Sequence, residues 1–340
     1  MSTLKISVKQ LFHQMQSDLT GKDSVKGYLP TYTWMANQLG HFALGLTTLF
    51  IVYSALSFFW TVDTLYVYLG ATLIWCLFET WNTTYTILQN KKNNSFKLDY
   101  GYIFTDLAID LSFFTFGTTF GYCITLGADW TLICFVAGVL ILATPALLWL
   151  SRIMYFQQGE YPTVYMRLSE TNYHPSDADR DAIEEFTQLE GNIRCILIYG
   201  DRNTGKTTLA NAIASEYALN RGITRSLTLF KWMRELTLPD YYDTQKPNQI
   251  WPWRQASIIV IDDVDPSLKE MEIVTPNDVK QALSIGSYVQ LNLDAIRTNR
   301  SVWVLGDTDK NQEWEQLMLD LQIATSPDQI LTLNMITPFS

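Results

Sequence analysis

Four long apolar stretches, at about residues 38–60, 65–87, 101–125 and 131–156, limit what this chain can fold into more than any other feature. A bilayer core is about 30 Å thick and takes roughly 20 helical residues to cross. Backbone groups in lipid must find their hydrogen bonds inside the segment, which a helix does by itself. The stretches therefore predict an all-α bundle of four transmembrane helices over residues 37–156. The first 36 residues are polar and too long for the charged start of a signal peptide, so no cleavable leader is expected.

The lysines set the expected orientation. Lys5, Lys9, Lys22 and Lys26 precede the first stretch, and Lys91, Lys92 and Lys97 lie between the second and third, whereas the connections TVDT and GADW carry none. Basic residues stay on the cytoplasmic side. The N-terminus, the 88–100 loop and everything after the fourth stretch, including the C-terminus, are thus expected to be cytoplasmic, in an integral protein of the plasma membrane or bacterial inner membrane. Trp60 and Trp130 fall at the opposite interface, where amphipathic rings settle. Within the cytoplasmic segment 1–36, Leu4, Val8, Leu11, Phe12, Met15 and Leu19 recur at helical spacing beside Lys5 and Lys9. That pattern fits an amphipathic helix lying on anionic lipid or one packed on the cytoplasmic part of the protein.

Residues 1–156 hold eight basic and eight acidic residues, so the whole net charge of −10 lies in 157–340. An acidic half with no basic stripe repels phosphate backbones, and no nucleic-acid partner is expected. Cys76, Cys123 and Cys134 lie inside apolar stretches and Cys195 opens another. None has a neighbour at metal-ligand spacing, so all four read as small buried side chains in a reducing compartment.

Ionisable residues interrupt the apolar stretches at His41, Glu79, Asp106 and Asp110, with Asn37 one turn before His41. At a rise of about 1.5 Å per residue they lie roughly 5–14 Å from the cytoplasmic ends of their helices. Asp106 and Asp110 share a helix face. A carboxylate facing lipid is costly, so these groups are expected to turn into the bundle and form one intramembrane site. Three readings stay open: a hydrogen-bonded structural cluster, a site or path for protons or cations, including a second divalent cation, and a metal-dependent membrane catalyst.

Residues 157–175 are polar and punctuated, which fits a linker with a short strand at TVYMRL. SDADRDAIEEFTQLEG follows, with an N-cap at Ser176, acids in the first turn and a stop at Gly191, so a cytoplasmic domain is expected over 176–340. Its centre is GDRNTGKT, in which Gly200, Gly205, Lys206 and Thr207 complete G-x-x-x-x-G-K-[ST] between the apolar run RCILIY and the helix-forming TTLANAIASEYAL. Strand, glycine loop and helix are the setting in which this motif holds nucleotide phosphates. Backbone groups of Gly200, Asp201, Arg202, Asn203, Thr204, Gly205, Lys206, Thr207 and Thr208 would surround the phosphates, helped by the positive end of the helix dipole. Lys206 would reach the β and γ phosphates and Thr207 would ligate Mg²⁺.

SIIVIDDVDP places Asp262 56 residues after Lys206, at the end of a second buried strand. Asp262 is the expected second Mg²⁺ ligand. Asp263 stands where many ATPases put the glutamate that orients the attacking water; its side chain is shorter, and binding without turnover stays open. SVWVLGDT reads as a further strand ending at a γ-phosphate sensor, Thr308 or Asp307, while TRSLTLF (224–230) and ILTLNMI (330–336) read as an early and a last strand.

This order of elements resembles the additional-strand class of P-loop NTPases, which includes the AAA+, STAND and KAP families. The resemblance covers about 190–337 and is specific at GDRNTGKT and IDDVD. It implies an α/β domain with a mainly parallel sheet and ATP at the strand ends. The paired aspartates together with membrane spans look most like KAP-type NTPases, although that family inserts its spans within the NTPase domain. AAA+ proteins carry an α-helical lid after the last strand, and the few residues from there to Ser340 lead us to expect none here; no arginine follows Arg300. A charge-stabilising arginine is then Arg202, Arg254, Arg297, Arg300 or a partner's. ATP is favoured over GTP, since no N-K-x-D follows the sensor strand.

Three functions follow from these features. One is an ATPase whose nucleotide cycle switches the assembly or conformation of the helices, with a homo-oligomer or membrane and cytoplasmic proteins as partners. A second is a channel, transporter or membrane enzyme regulated by nucleotide. The third is a scaffold that binds ATP without turnover. Membrane-tethered relatives in these families act in signalling or prokaryotic defence, which is analogy.

Overall fold

The computed structural model describes residues 7, 9–10, 12–13, 16, 30–93, 96–161, 166–171, 173–201, 203–238, 251–262, 264, 274–306 and 311–335. Most of the amphipathic pattern at the N-terminus, Leu4, Val8, Leu11, Met15 and Leu19, lies outside these residues. The chain divides into two compact units, one of Ile6–Lys92 with Leu98–Ser151, the other of Met1–Lys5, Asn93–Lys97 and Arg152–Ser340.

The first unit is built on helices α1 (Pro30–Ser57), α2 (Thr64–Asn93), α3 (Tyr100–Leu126) and α4 (Ala128–Gln158), which cover the four apolar stretches. Among the described residues two segments, Thr33–Ser57 and Tyr100–Leu126, are long and apolar enough to cross a membrane, and Ala128–Ala143 is a shorter apolar helix. The second stretch falls short of the expected four because Glu79 and the run Asn82-Thr83-Thr84 dilute α2.

Helices α1 and α3 meet backbone to backbone. A Cβ added to Gly117 would lie 2.1 Å from the Phe42 carbonyl oxygen, and one added to Gly45 2.4 Å from that of Phe114. Small residues permit this approach, and Gly117-x-x-x-Gly121 has the spacing seen where helices pack in lipid. Hydrogen bonds tie α2 to this pair. The Trp75 Nε1 donates to Thr48 Oγ1 at 3.1 Å, Thr72 and Thr118 hydroxyls lie 2.9 Å apart, and Trp75 stacks on Phe114. Large apolar side chains on the outer faces remain uncovered, Ile51 at 67%, Trp81 at 71% and Ile141 at 72% exposure among them.

The second unit contains a five-stranded parallel sheet in the order β2-β3-β4-β1-β5. Its strands are β1 (Cys195–Gly200), β2 (Thr224–Thr228), β3 (Ile258–Asp262), β4 (Arg300–Val304) and β5 (Ile330–Met335). The first four read as continuous apolar or buried runs because both sheet faces are covered. Helix α5 (Asp177–Thr187) is N-capped by Ser176, and α6 (Lys206–Leu219) packs across the sheet. β2 is shorter than expected, since Thr228 accepts a hydrogen bond from the Lys231 backbone N–H and starts α7 (Leu229–Glu235). Beyond β3, the order continues as α8 (Pro276–Ser284), α9 (Val289–Thr298), β4, α10 (Asn311–Asp320) and β5.

This unit begins earlier than the expected domain start at 176. Its core takes in the end of α4, where Met154, Tyr155 and Phe156 are buried, Tyr155 against Trp251 and Phe156 stacked on Tyr161. The Gly159 carbonyl accepts from Ser226 N–H at 2.7 Å, which covers the open edge of β2. Glu160 pairs with Arg225 of β2 at 2.9 Å and with Lys231 of α7 at 2.5 Å. The segment 157–161 is thus bound along the sheet edge; half of the strand expected at TVYMRL, residues 163–165, lies outside the described residues, and Leu168–Glu170 is a 3-10 turn. Phe96 joins the sheet's core cluster, and Lys97 pairs with Glu184 of α5 at 2.7 Å. Cys195 is fully buried, and burial pushes its thiol up to about 12, consistent with an inert core side chain.

Candidate nucleotide site

The glycine loop joins the end of β1 to the start of α6, at the C-terminal edge of the parallel sheet. Gly200 has φ 134°, Asn203 62° and Gly205 86°. At Gly200 a side chain would also meet the Met335 carbonyl oxygen at 2.0 Å, so glycine is required there on two counts. Gly205 is the N-cap of α6 and offers no side-chain cap, which leaves the first backbone donors of the helix for an anion. The Lys206 Nζ donates to the carbonyls of Gly200 and Asp201, each at 2.5 Å, and so lies folded against the loop. The Thr204 hydroxyl donates to the Asp201 carbonyl at 2.9 Å and braces the turn.

Thr207 and Asp262 come together from different elements. The Thr207 Oγ1 donates to Asp262 Oδ1 at 3.2 Å, linking the first turn of α6 to the end of β3. Asp262 is 5% exposed and pairs in register with Thr228 of β2. A hydroxyl and a carboxylate in contact beside an uncapped helix N-terminus form an oxygen donor set that fits Mg²⁺ with a nucleotide phosphate. Asp201 and Asn203 are exposed on the loop, and Thr208 is half-buried on α6. Arg202, Asp263, Asp307 and Thr308 lie outside the described residues.

Three of the four arginine candidates are committed elsewhere. Arg254 donates to Asn292 Oδ1 at 2.8 Å and to the Leu238 carbonyl at 3.0 Å, with its guanidinium over the Trp253 ring. The Arg297 Nε donates to the Leu321 carbonyl at 3.0 Å. Arg300 donates to the carbonyls of Glu185, Phe186 and Gly191. These side chains hold loops and helices in place, a role that charge in a sequence does not distinguish from phosphate contact. Arg254→Ala leaves buried carbonyls and Asn292 without their donor, and roughly 2–4 kcal/mol of stability should be lost. A thermal melt with and without nucleotide checks this, since a catalytic arginine would alter turnover with little change in melting.

In the helical unit two residues of the expected four-residue site, His41 of α1 and Asp110 of α3, meet. His41 Nε2 lies 3.5 Å from Asp110 Oδ1 and 3.1 Å from Asn37 Nδ2. Gln38, not anticipated from the sequence, donates to Asp110 Oδ1 at 3.0 Å. Glu79 is buried on α2, and Asp106 lies one turn before Asp110 on α3. Among the described residues no group of three or more His, Cys, Asp or Glu is arranged to hold a metal ion. No ligand set for the expected second divalent cation is thus present among the described residues.

The strand order, the loop at the end of β1 and the acidic end of β3 define the α/β unit as a P-loop NTPase domain of the additional-strand class. Residues 196–320 match the family described as ATPase family associated with various cellular activities, AAA, so this part of the chain is similar to that family. No curated protein matches the chain. Among solved structures, the crystal structure of DnaI is similar over 51% of this chain and 89% of that chain, at 15% identity and a TM-score of 0.32.

Proposed function

We propose that this chain is a membrane-anchored ATPase in which Mg²⁺-ATP binding and hydrolysis switch the assembly or conformation of its helices. The observation that carries the nucleotide half is the Thr207–Asp262 contact beside the uncapped start of α6. Bound Mg²⁺ would neutralise phosphate charge and polarise the terminal phosphoryl group. Lys206 would swing from the loop carbonyls to the phosphates, and Thr207 and Asp262 would hold the ion. Asp263, next along the chain, is assigned to orienting the attacking water, and Thr308 to sensing the γ phosphate.

The membrane half is supported by the uncovered apolar faces of α1, α2 and α4 and by the glycine-mediated contact of α1 with α3. Four spans, with both termini cytoplasmic, follow from the lysines as read above. Coupling is supported by the make-up of the ATPase unit, whose own core includes the α2–α3 loop at Phe96 and the end of α4 at Met154–Phe156. A switch predicts that purified full-length protein changes its oligomeric state when ATP and Mg²⁺ are added, as read by light scattering, and that Lys206→Ala does not. The same small assembly under all conditions would instead favour a channel or transporter regulated by nucleotide, a reading to which the His41–Asp110 contact lends support.

A further inference from the structure

Helices α3 and α4 leave an apolar cleft of about 560 Å³ between them. One wall is a face of α3 from Leu111 to Cys123, the other a face of α4 from Trp130 to Leu142. Gly117 and Gly121 lie on the other side of α3, against α1, so the cleft is separate from that contact. Its room comes from short side chains, Ser112, Thr115 and Thr119 on α3 and Ala137 and Gly138 on α4. Gly138 also makes space for a neighbouring ring, since a Cβ there would lie 2.0 Å from Phe116 Cε2. Two of the hydroxyls are engaged within the helices. Ser112 Oγ donates to the Ala108 carbonyl at 2.6 Å, and the Thr119 and Tyr68 hydroxyls lie 3.2 Å apart. A cavity with such a lining stays dry and takes apolar occupants.

The dimensions of the cleft select the occupant. At a rise of about 1.5 Å per residue each wall is about 18 Å long, and the volume spread over that length is a channel about 6 Å wide. A helix with its side chains is about 10–12 Å across and does not fit, whereas a single hydrocarbon chain does. The channel begins beside the α3–α4 connection at Gly127, with Trp130 at its mouth, and runs inward. Half of a bilayer core is about 15 Å, so the channel has the depth of one leaflet. Trp130, Ile133 and Ile141 on its rim are exposed, which makes it continuous with the uncovered apolar face of α4. We propose that this cleft binds one acyl chain of a bilayer phospholipid, from the leaflet on the side of the α3–α4 connection. The proposal rests on the membrane placement given above.

Photo-crosslinking of the full-length protein tests the cleft. The protein is placed in vesicles of phosphatidylglycerol that carries a diazirine in one acyl chain, extracted in detergent, washed free of loose lipid and then irradiated. The expected result is a retained lipid whose adducts map to the two walls, Leu111–Cys123 and Trp130–Leu142. Ala137→Trp, which fills the cleft, should lower the adduct by about tenfold, the equivalent of two buried methylene groups, while Ile51→Trp on the outer face of α1 should leave it unchanged. The wild-type map needs no variant, so misfolding of a variant does not remove the test. Adducts spread evenly over exposed positions such as Ile51 and Trp81, or undiminished in a folded Ala137→Trp, would overturn the proposal and leave only boundary lipid. So would loss of adducts together with cross-linking of Cys134 between two copies by a short bismaleimide, which would seat a second copy in the cleft. A chain that pellets with membranes until detergent is added, yet retains no lipid, refutes the cleft alone. A chain absent from the pellet refutes the membrane placement and the cleft with it.

Discussion

Replacing Lys206 with alanine is expected to weaken ATP binding by roughly 1.5–3 kcal/mol, the value of a hydrogen bond to a charged group, which is about 10- to 150-fold in Kd. The side chain is the basic group on the loop whose Nζ already touches the Gly200 and Asp201 carbonyls, so a short movement carries it to bound phosphate. It is half-buried at a surface loop and takes no part in the sheet's core cluster. The loss should therefore fall on nucleotide affinity and leave the melting temperature of the nucleotide-free protein nearly unchanged. Titration of the purified protein with a fluorescent ATP analogue measures the first, and a thermal melt the second. An equal fall in both would mean that Lys206 is a folding residue.

The second large effect is expected in the helical unit. Gly117→Leu places a side chain where even a Cβ meets the Phe42 carbonyl oxygen at 2.1 Å, so α1 and α3 must separate. Overpacking of this kind costs about 1–3 kcal/mol. It should also disturb the Gln38–Asp110 and His41–Asp110 contacts, which span the same two helices. Gly40 is the internal control, since nothing lies within 4 Å of a Cβ added there. Gly40→Ala should be neutral or stabilising by roughly 0.5–1 kcal/mol, the helix cost of glycine relative to alanine. Thermal melts of the two variants in detergent, read by size-exclusion elution, compare them directly. Equal stability of Gly117→Leu and wild type would mean that α1 and α3 do not pack as described.

Much of the nucleotide domain was legible because its signals are local. A buried parallel strand is a short apolar run, a phosphate loop needs its glycines in sequence, and Ser176 caps its helix three residues away. The helices were legible for the same reason, since each is one apolar stretch. What escaped depends on contacts between residues far apart in the chain. GTTFG reads as an ordinary piece of an apolar helix until Phe42 is seen beside Gly117. Gln38 carries no charge and gave no warning that it would meet Asp110. Arg254 and Arg300 looked available to a phosphate, yet their guanidinium groups serve backbone carbonyls. The polar residues 157–175 suggested a linker, whereas within them Gly159 and Glu160 bind the edge of β2, a partner more than 60 residues away.

Mg²⁺-dependent ATP hydrolysis by the full-length protein, extracted from the membrane fraction and returned to lipid, bears most directly on the proposed function. Steady turnover that stops when Mg²⁺ is chelated, and that is lost in both Lys206→Ala and Asp262→Asn, is the predicted result. Turnover no faster than in those variants, despite tight ATP binding, would contradict it and make the chain a nucleotide-binding scaffold.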